Sequence, residues 1–347
     1  MSKKPTLVYF EQFADPVGVE IVTGDSSIDL VRLRFADTED SLAQLRQANG
    51  FHMSPAVEMP DVYYPQADLL DQCENLIGVS STGAGYDIVD VQACTDRGIV
   101  LFNQTGSNSQ SVAEHAVGMI LTLSKNIAAS DKIMRRRTDY TRMEVQGREI
   151  SSRTVGILGL GNIGRIVARM LGQGFNMDVI ACDPYVDEAE MAARGARKVS
   201  FDEMLAEADF VTVHTPKTSE TQGLMNGEAF AKMKPGAIFI TTARGGIHVE
   251  PDLQQALESG HLSGAGLDVW DREPPSTDHP LFGLDNVLAS PHIAGITAES
   301  NYNMAKSAAD QWLVLMQGKR PPLIVNSEVW PRFRERFESV MGFAPEA

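Results

Sequence analysis

The chain has little cysteine. Cys73, Cys94 and Cys182 are the three in 347 residues, far apart and without CxxC spacing. That argues against a disulfide framework and against a thiolate zinc site, and no metal is expected. Positive charge is also scarce: 30 Lys and Arg against 46 Asp and Glu leave a net charge of −16. A nucleic-acid partner is therefore not expected, and the basic run Arg135-Arg136-Arg137 reads as a solvated helix face. An anionic substrate must find its cations locally. No apolar stretch reaches membrane-spanning length, and Met1-Ser2-Lys3-Lys4-Pro5 does not open a signal peptide. A cytoplasmic protein with no membrane partner is expected. What the chain does have is 43% hydrophobic residues, ample for packed cores, and a length that suits two domains.

Residues 154–164 are the clearest landmark. Val155, Ile157 and Leu158 read as a buried strand, and Gly159-Leu160-Gly161-Asn162-Ile163-Gly164 turns it into a helix. The first glycine suits a tight turn, the second the approach of a diphosphate, the third close helix–strand packing. Free N–H groups at the helix start attract phosphates. A second apolar strand, Val179 to Cys182, ends in Asp183, 19 residues beyond Gly164. A carboxylate at that spacing suits a ribose 2′-OH and repels a 2′-phosphate. Pro184 and Tyr185 follow without an arginine, so NAD is expected in preference to NADP.

Strand and helix patterns alternate along the chain, which predicts parallel sheets. Early strands are expected at Leu7–Phe10, Val19–Val22, Leu76–Ser80 and Ile99–Phe102, with helices at Asp40–Asn49 and Val89–Arg97. Residues 103–110 are polar and turn-forming, a crossing between domains. A long helix follows, carrying Val112, Ala116, Met119, Ile120 and Leu123. After Ser124 the chain reads as an irregular arm to Arg148, a subunit contact of a homodimer. Further strands end at His214-Thr215-Pro216, Thr242-Ala243-Arg244, Asp268 and Pro291-His292. Ligands of open parallel sheets bind at such carboxyl ends. A helix from about Thr297 to Leu315 returns the chain to the first domain, and the tail to Ala347 reads as partly loose.

Three side chains near those ends suggest chemistry. Arg244 offers a planar fork that fits a carboxylate or 2-oxo acid. His292 can carry a proton near neutral pH, and Glu273 can fix its tautomer. From the residues alone His214, His248 and His261 compete with His292.

The ordered set Ser81-Thr82-Gly83-Ala84-Gly85-Tyr86-Asp87, Ser111-Val112-Ala113-Glu114-His115, Gly159 to Gly164, His214-Thr215-Pro216, Thr242-Ala243-Arg244-Gly245, Gly266-Leu267-Asp268-Val269, Glu273-Pro274 and Pro291-His292-Ile293-Ala294-Gly295 resembles the D-isomer-specific 2-hydroxyacid dehydrogenase family. The resemblance spans nearly the whole chain and is weakest in residues 1–70 and 325–347. It implies two doubly wound α/β domains: a Rossmann NAD-binding domain over roughly 106–298, and a flavodoxin-like substrate domain from 1–105 and 299–347, with a cleft between them. By the same resemblance Arg244 binds the substrate carboxylate and carbonyl, His292 gives or takes the proton with Glu273 bonded to it, and NAD carries hydride to or from C2. The backbone of Thr82, Gly83 and Ala84 is expected to hold the substrate carboxylate, and Asp268 the nicotinamide carboxamide. Gly295, His214, Thr215, Pro216, Thr242 and Ala243 are expected along the cofactor.

Three departures from the family pattern bear on function. The stretch Gly50-Phe51-His52-Met53-Ser54-Pro55 lacks the arginines of members that take phosphorylated substrates, so a non-phosphorylated acid is expected. Glu273 stands where the related formate dehydrogenases carry Gln. Ile88 replaces a common Asn, with no evident mechanistic effect. Two other readings compete. A cofactor-sensing corepressor could keep the same residues. A sugar- or aldehyde-acting Rossmann enzyme expects Tyr-x-x-x-Lys, and Tyr140 and Tyr185 are followed by Glu144 and Ala189.

Overall fold

A computed structural model describes residues 4–54 and 58–346; residues 1–3, 55–57 and 347 lie outside the described residues. The chain divides into two compact units, residues 1–108 with 296–347, and residues 109–295.

The first unit opens with β1 (Thr6–Phe10), α1 (Pro16–Gly24), β2 (Asp29–Leu33), α2 (Thr38–Gln47), β3 (Gly50–Met53), the single-turn α3 (Ala67–Leu70), β4 (Gly78–Ser81), α4 (Val91–Asp96) and β5 (Val100–Phe102). The strands are all parallel in the order β2-β1-β3-β4-β5, the flavodoxin-like arrangement. The strand expected over Val19–Val22 is instead the body of α1. Asp15 caps it by accepting the Val17 N–H at 2.9 Å, and Pro16 occupies the first turn, where its missing N–H costs nothing. Gly18 and Val22, four apart, form its buried face. The four apolar residues have strand composition, but the cap and the proline decide the element.

The second unit begins with α5 (Ser109–Ser124) and α6 (Ile127–Arg136). The arm expected to be irregular is thus helical over ten residues, and none of them is buried. The dinucleotide-type sheet follows: β6 (Thr154–Leu158), α7 (Gly164–Arg169), β7 (Asp178–Cys182), α8 (Glu188–Ala193), β8 (Arg197–Lys198), α9 (Phe201–Glu207), β9 (Phe210–Val213), α10 (Gly227–Lys232), β10 (Ala237–Thr241), α11 (Glu250–Glu258), β11 (Leu262–Leu267) and β12 (Val287–Ala289). Its seven parallel strands run β12-β11-β10-β9-β6-β7-β8. After β6 the chain winds outward to β8, then returns to lay β9 on the other side of β6. That reversal creates a crevice at the carboxyl ends of β6 and β9. Apolar clusters on the two faces of this sheet fix it, one around Phe230, Phe239 and Leu253, the other around Ile120, Ile157 and Leu171.

The chain then re-enters the first unit with α12 (Ala298–Met316) and α13 (Trp330–Met341). Trp312, Phe333 and Phe337 are fully buried against Leu7, Ile77 and Phe102. The tail expected to be loose is therefore part of the core. Asn326, also buried, accepts the Leu101 N–H at 2.8 Å and donates to Ile99 O at 3.0 Å, and Arg336 donates to Leu76 O at 2.6 Å.

Candidate active site

At the end of β6 Gly159 takes φ +89°, a left-handed conformation that only glycine adopts without strain. A Cβ on Gly164 would lie 2.2 Å from Gly159 O, so that residue must also lack a side chain for α7 to start where it does. A Cβ at Gly161 would meet nothing within 4 Å; the loop there faces open space. Ile163 stands at the head of α7, and Asn162 precedes it. Asp183, half-buried at the end of β7, accepts the Leu160 N–H on Oδ2 at 2.9 Å and the Tyr185 N–H on Oδ1 at 3.0 Å. Each oxygen keeps a lone pair for a further donor.

The ends of β9 and β10 leave three buried polar atoms without partners: His214 Nδ1, Thr215 Oγ1 and Thr242 Oγ1. Buried groups of this kind are normally satisfied. His214 and Thr215 lie beside the glycine turn, where a Cβ on Gly159 would come 2.8 Å from Thr215 Cγ2, and Thr242 follows the neighbouring strand β10. Pro216 O accepts the Thr221 hydroxyl at 2.7 Å, and Ala243 O accepts from Arg244 Nη1 at 2.7 Å.

The loops after β11 and β12 meet in a dense polar knot. His292 Nδ1 lies 2.7 Å from Glu273 Oε2, while Glu273 Oε1 accepts the Trp270 N–H at 3.0 Å. Burial pushes the Glu273 carboxyl up, but the His292 bond and charge, the Trp270 N–H and the Arg244 charge outweigh it and hold the group below its ordinary value. The Arg244 loop comes this near because residue 245 is glycine: a Cβ there would sit 1.8 Å from Trp270 O. His292 itself takes φ +57°, unusual for a residue with a side chain. Asp268 holds it so. Its carbonyl accepts the His292 N–H at 2.8 Å, Oδ1 the Ile293 N–H at 2.9 Å, and Oδ2 the Ala294 N–H at 2.8 Å. Oδ1 also takes the Ser290 hydroxyl at 2.6 Å, and the side chain is fully buried.

Residues 117–294 match the profile of the D-isomer specific 2-hydroxyacid dehydrogenase, NAD binding domain. The chain belongs to this family. It is 40% identical over 301 residues to the D-3-phosphoglycerate dehydrogenase of Mycobacterium leprae, a match covering 86% of this chain and 55% of that protein. The chain spans about half the length of the curated relatives it matches. Among solved structures, apo D-mandelate dehydrogenase of Rhodotorula graminis superposes with a TM-score of 0.83 at 25% identity, covering 93% of this chain and 98% of that one. D-lactate dehydrogenase of Aquifex aeolicus, complexed with NAD and lactic acid, superposes with a TM-score of 0.79 at 26% identity, covering 92% and 99%. The cofactor of this family domain is NAD. The expectation of a non-phosphorylated acid finds no support in these relatives, which include D-3-phosphoglycerate dehydrogenases from several organisms. The missing arginines of residues 50–55 are a weak guide, because they presuppose an alignment where the resemblance to the family motifs is weakest.

The other histidines of this unit differ from His292. Burial drives His214 down to about 3, and its Nε2 lies 2.9 Å from Thr212 Oγ1; it stays neutral. His248 is likewise pushed down to about 4 by burial, with both ring nitrogens unpartnered. His261 Nε2 lies 3.0 Å from Phe230 O. In the first unit Thr82, Gly83 and Ala84 follow β4. Thr82 Oγ1 donates to Met53 O at 2.5 Å, and the Gly83 N–H is taken by Gln104 Oε1 at 2.8 Å. Among the described residues no group of three or more His, Cys, Asp or Glu is placed to hold a metal, no helix is long and apolar enough to cross a membrane, and the three cysteines are free.

Sequence reasoning met Ser111, His115, Trp270 and Ser290 only as members of motifs and assigned none of them a role. Trp270 Nε1 donates to Ser290 O at 3.0 Å. The one sequence signal was the motif Ser111-Val112-Ala113-Glu114-His115, which sets Ser111 and His115 four apart on α5.

Proposed function

We propose that this chain interconverts a D-2-hydroxy acid and its 2-oxo acid with NAD(H). The observation that carries the reading is the 2.7 Å bond between His292 Nδ1 and Glu273 Oε2, with Arg244 acting electrostatically on the same carboxylate. When bound, the nicotinamide supplies or accepts hydride at C2. In reduction His292, its Nδ1–H directed at Glu273, gives the Nε2 proton to the carbonyl oxygen; in oxidation it takes that proton from the hydroxyl. Arg244 binds the carboxylate and polarises the C2 oxygen. The Thr82–Ala84 backbone contributes to carboxylate binding through Thr82 and Ala84, since the Gly83 N–H already serves Gln104.

For the cofactor, Gly159, Gly161, Asn162, Ile163 and Gly164 suit the diphosphate, and Asp183 the adenosine ribose. His214, Thr215, Pro216, Thr242, Ala243 and Gly295 suit the remaining length. Asp268 suits the carboxamide; its side chain also makes three bonds to the 290–294 turn, and its carbonyl a fourth, which set His292. Asp183→Ala should weaken NAD and narrow the NAD/NADP preference, and an unchanged ratio of dissociation constants would remove Asp183 from cofactor choice.

A panel of 2-oxo acids with NADH tests the activity. It should include glyoxylate, hydroxypyruvate, pyruvate, phenylpyruvate, branched oxo acids and 3-phosphohydroxypyruvate. The relatives' name makes the last the first to try. Loss of nicotinamide absorbance with at least one acid is expected. NADH binding without turnover of any member would favour the cofactor-sensing binding protein instead.

We also propose a homodimer through the 125–148 arm. α6 buries none of its residues, and Ile127, Met134 and Met143 are more than half exposed. Light scattering should give twice the chain mass; Met134→Glu should shift it to the monomer. A monomeric wild type would contradict the assignment.

A further inference from the structure

The turn that carries His292 is gripped from outside the strand-end loops by one face of α5. Ser111 Oγ donates to Ala294 O at 2.7 Å, and His115 Nε2 lies 3.0 Å from Ser290 Oγ. Ser111 and His115 are four apart and so share a helix face. Their partners stand two residues to either side of His292. The direction of the chain of bonds is fixed: the Ser290 hydroxyl spends its proton on Asp268 Oδ1 at 2.6 Å, so it accepts from His115. His115 Nε2 also lies 3.8 Å from Asp268 Oδ1. One turn further along the same face, Met119 packs on Gly266 of β11, where a Cβ would come within 3.0 Å of its sulfur. The absence of a side chain at 266 lets α5 lie close enough for both bonds. Neither hydroxyl nor imidazole is needed to form or bury this helix, whose apolar buried positions are Val112, Ala113, Ala116, Val117, Met119 and Ile120.

We propose that Ser111 and His115 are positioning residues for proton transfer: together they hold both ends of the 290–294 turn, so that His292 keeps its left-handed backbone and its bond to Glu273. The inference rests on His292 as the proton carrier. It places the effect on the chemical step rather than on cofactor affinity.

The test compares Ser111→Ala, His115→Ala, His115→Gln and His292→Ala for kcat, KM of the best oxo acid, NADH dissociation constant and melting temperature. Loss of one such hydrogen bond, at about 1 kcal/mol, should lower kcat about fivefold in each of the two α5 alanine variants. NADH affinity and KM should stay within about twofold, the pattern of an interaction that serves the transition state. His115→Gln, which keeps a donor of similar reach, should recover most of kcat, and it carries the comparison if His115→Ala does not fold. Wild-type kcat in both α5 alanine variants would overturn the proposal. So would a Gln variant no better than Ala, or a fall in kcat accompanied by equal losses of NADH affinity and melting temperature. If His292→Ala turns over like wild type, the parent reading fails; if it is inactive while the α5 variants keep kcat, only this inference fails.

Discussion

At the scale of single residues the site depends on one carboxylate whose charge is maintained against burial. Glu273 is held below the ordinary carboxylate value because His292, Trp270 and Arg244 outweigh the desolvation that would raise it. The sign follows directly. A depressed folded-state value contributes stability above the unfolded pKa, and that contribution is lost as pH falls through the folded value. The acid limb of turnover should therefore lie below the usual carboxylate range of about 4.3. Glu273→Gln, which keeps the acceptor and removes the charge, should abolish that limb and lower kcat about 100-fold, the lower end of general acid–base contributions. A pH profile of kcat for both forms checks this; superimposable profiles would show that the carboxylate's charge is not used.

At the scale of elements, close approach decides where side chains arrive. Arg244 reaches the Glu273 loop because Gly245 lies against Trp270 O. In Gly245→Ala the backbone must move apart, at a cost of about 1–3 kcal/mol, or roughly 2–10 °C in melting temperature. KM for the oxo acid should rise as Arg244 shifts. Unchanged KM and melting temperature would contradict that geometry. Much of the element pattern was legible in sequence where apolar runs were bounded by punctuating residues, as at β6 and β9. It failed at Val19–Val22, where composition favoured a strand but the Asp15 cap and Pro16 start a helix. It also failed at the tail, where Phe333 and Phe337, four apart on α13, pack into the core with Trp312 and Phe102. The strand-end residues of the site could be read from the motifs. The α5 face could not, because a serine and a histidine four apart acquire meaning only when the 290–294 turn, some 175 residues away, is brought beside them.

At the scale of the whole molecule, buried neutral histidines set the acid limit. Burial lowers His52 and His214 to about 3 and His248 to about 4. Each binds a proton in the unfolded chain, with an ordinary value near 6.5, before it can in the fold. Stability should then fall as pH drops below about 6.5, by about 1.4 kcal/mol per pH unit for each histidine until its folded value is reached. Denaturant midpoints at pH 7 and pH 5 should show this loss, and His52→Gln should reduce it. Equal midpoints at the two pH values would mean that these rings are solvated.

The most direct test of the central claim is a single-turnover measurement of NADH oxidation with the best oxo acid, in wild type and in His292→Ala, alongside NADH affinity. The account predicts a rate lower by about 10²- to 10⁴-fold with NADH binding retained. Equal rates in the two proteins would contradict it.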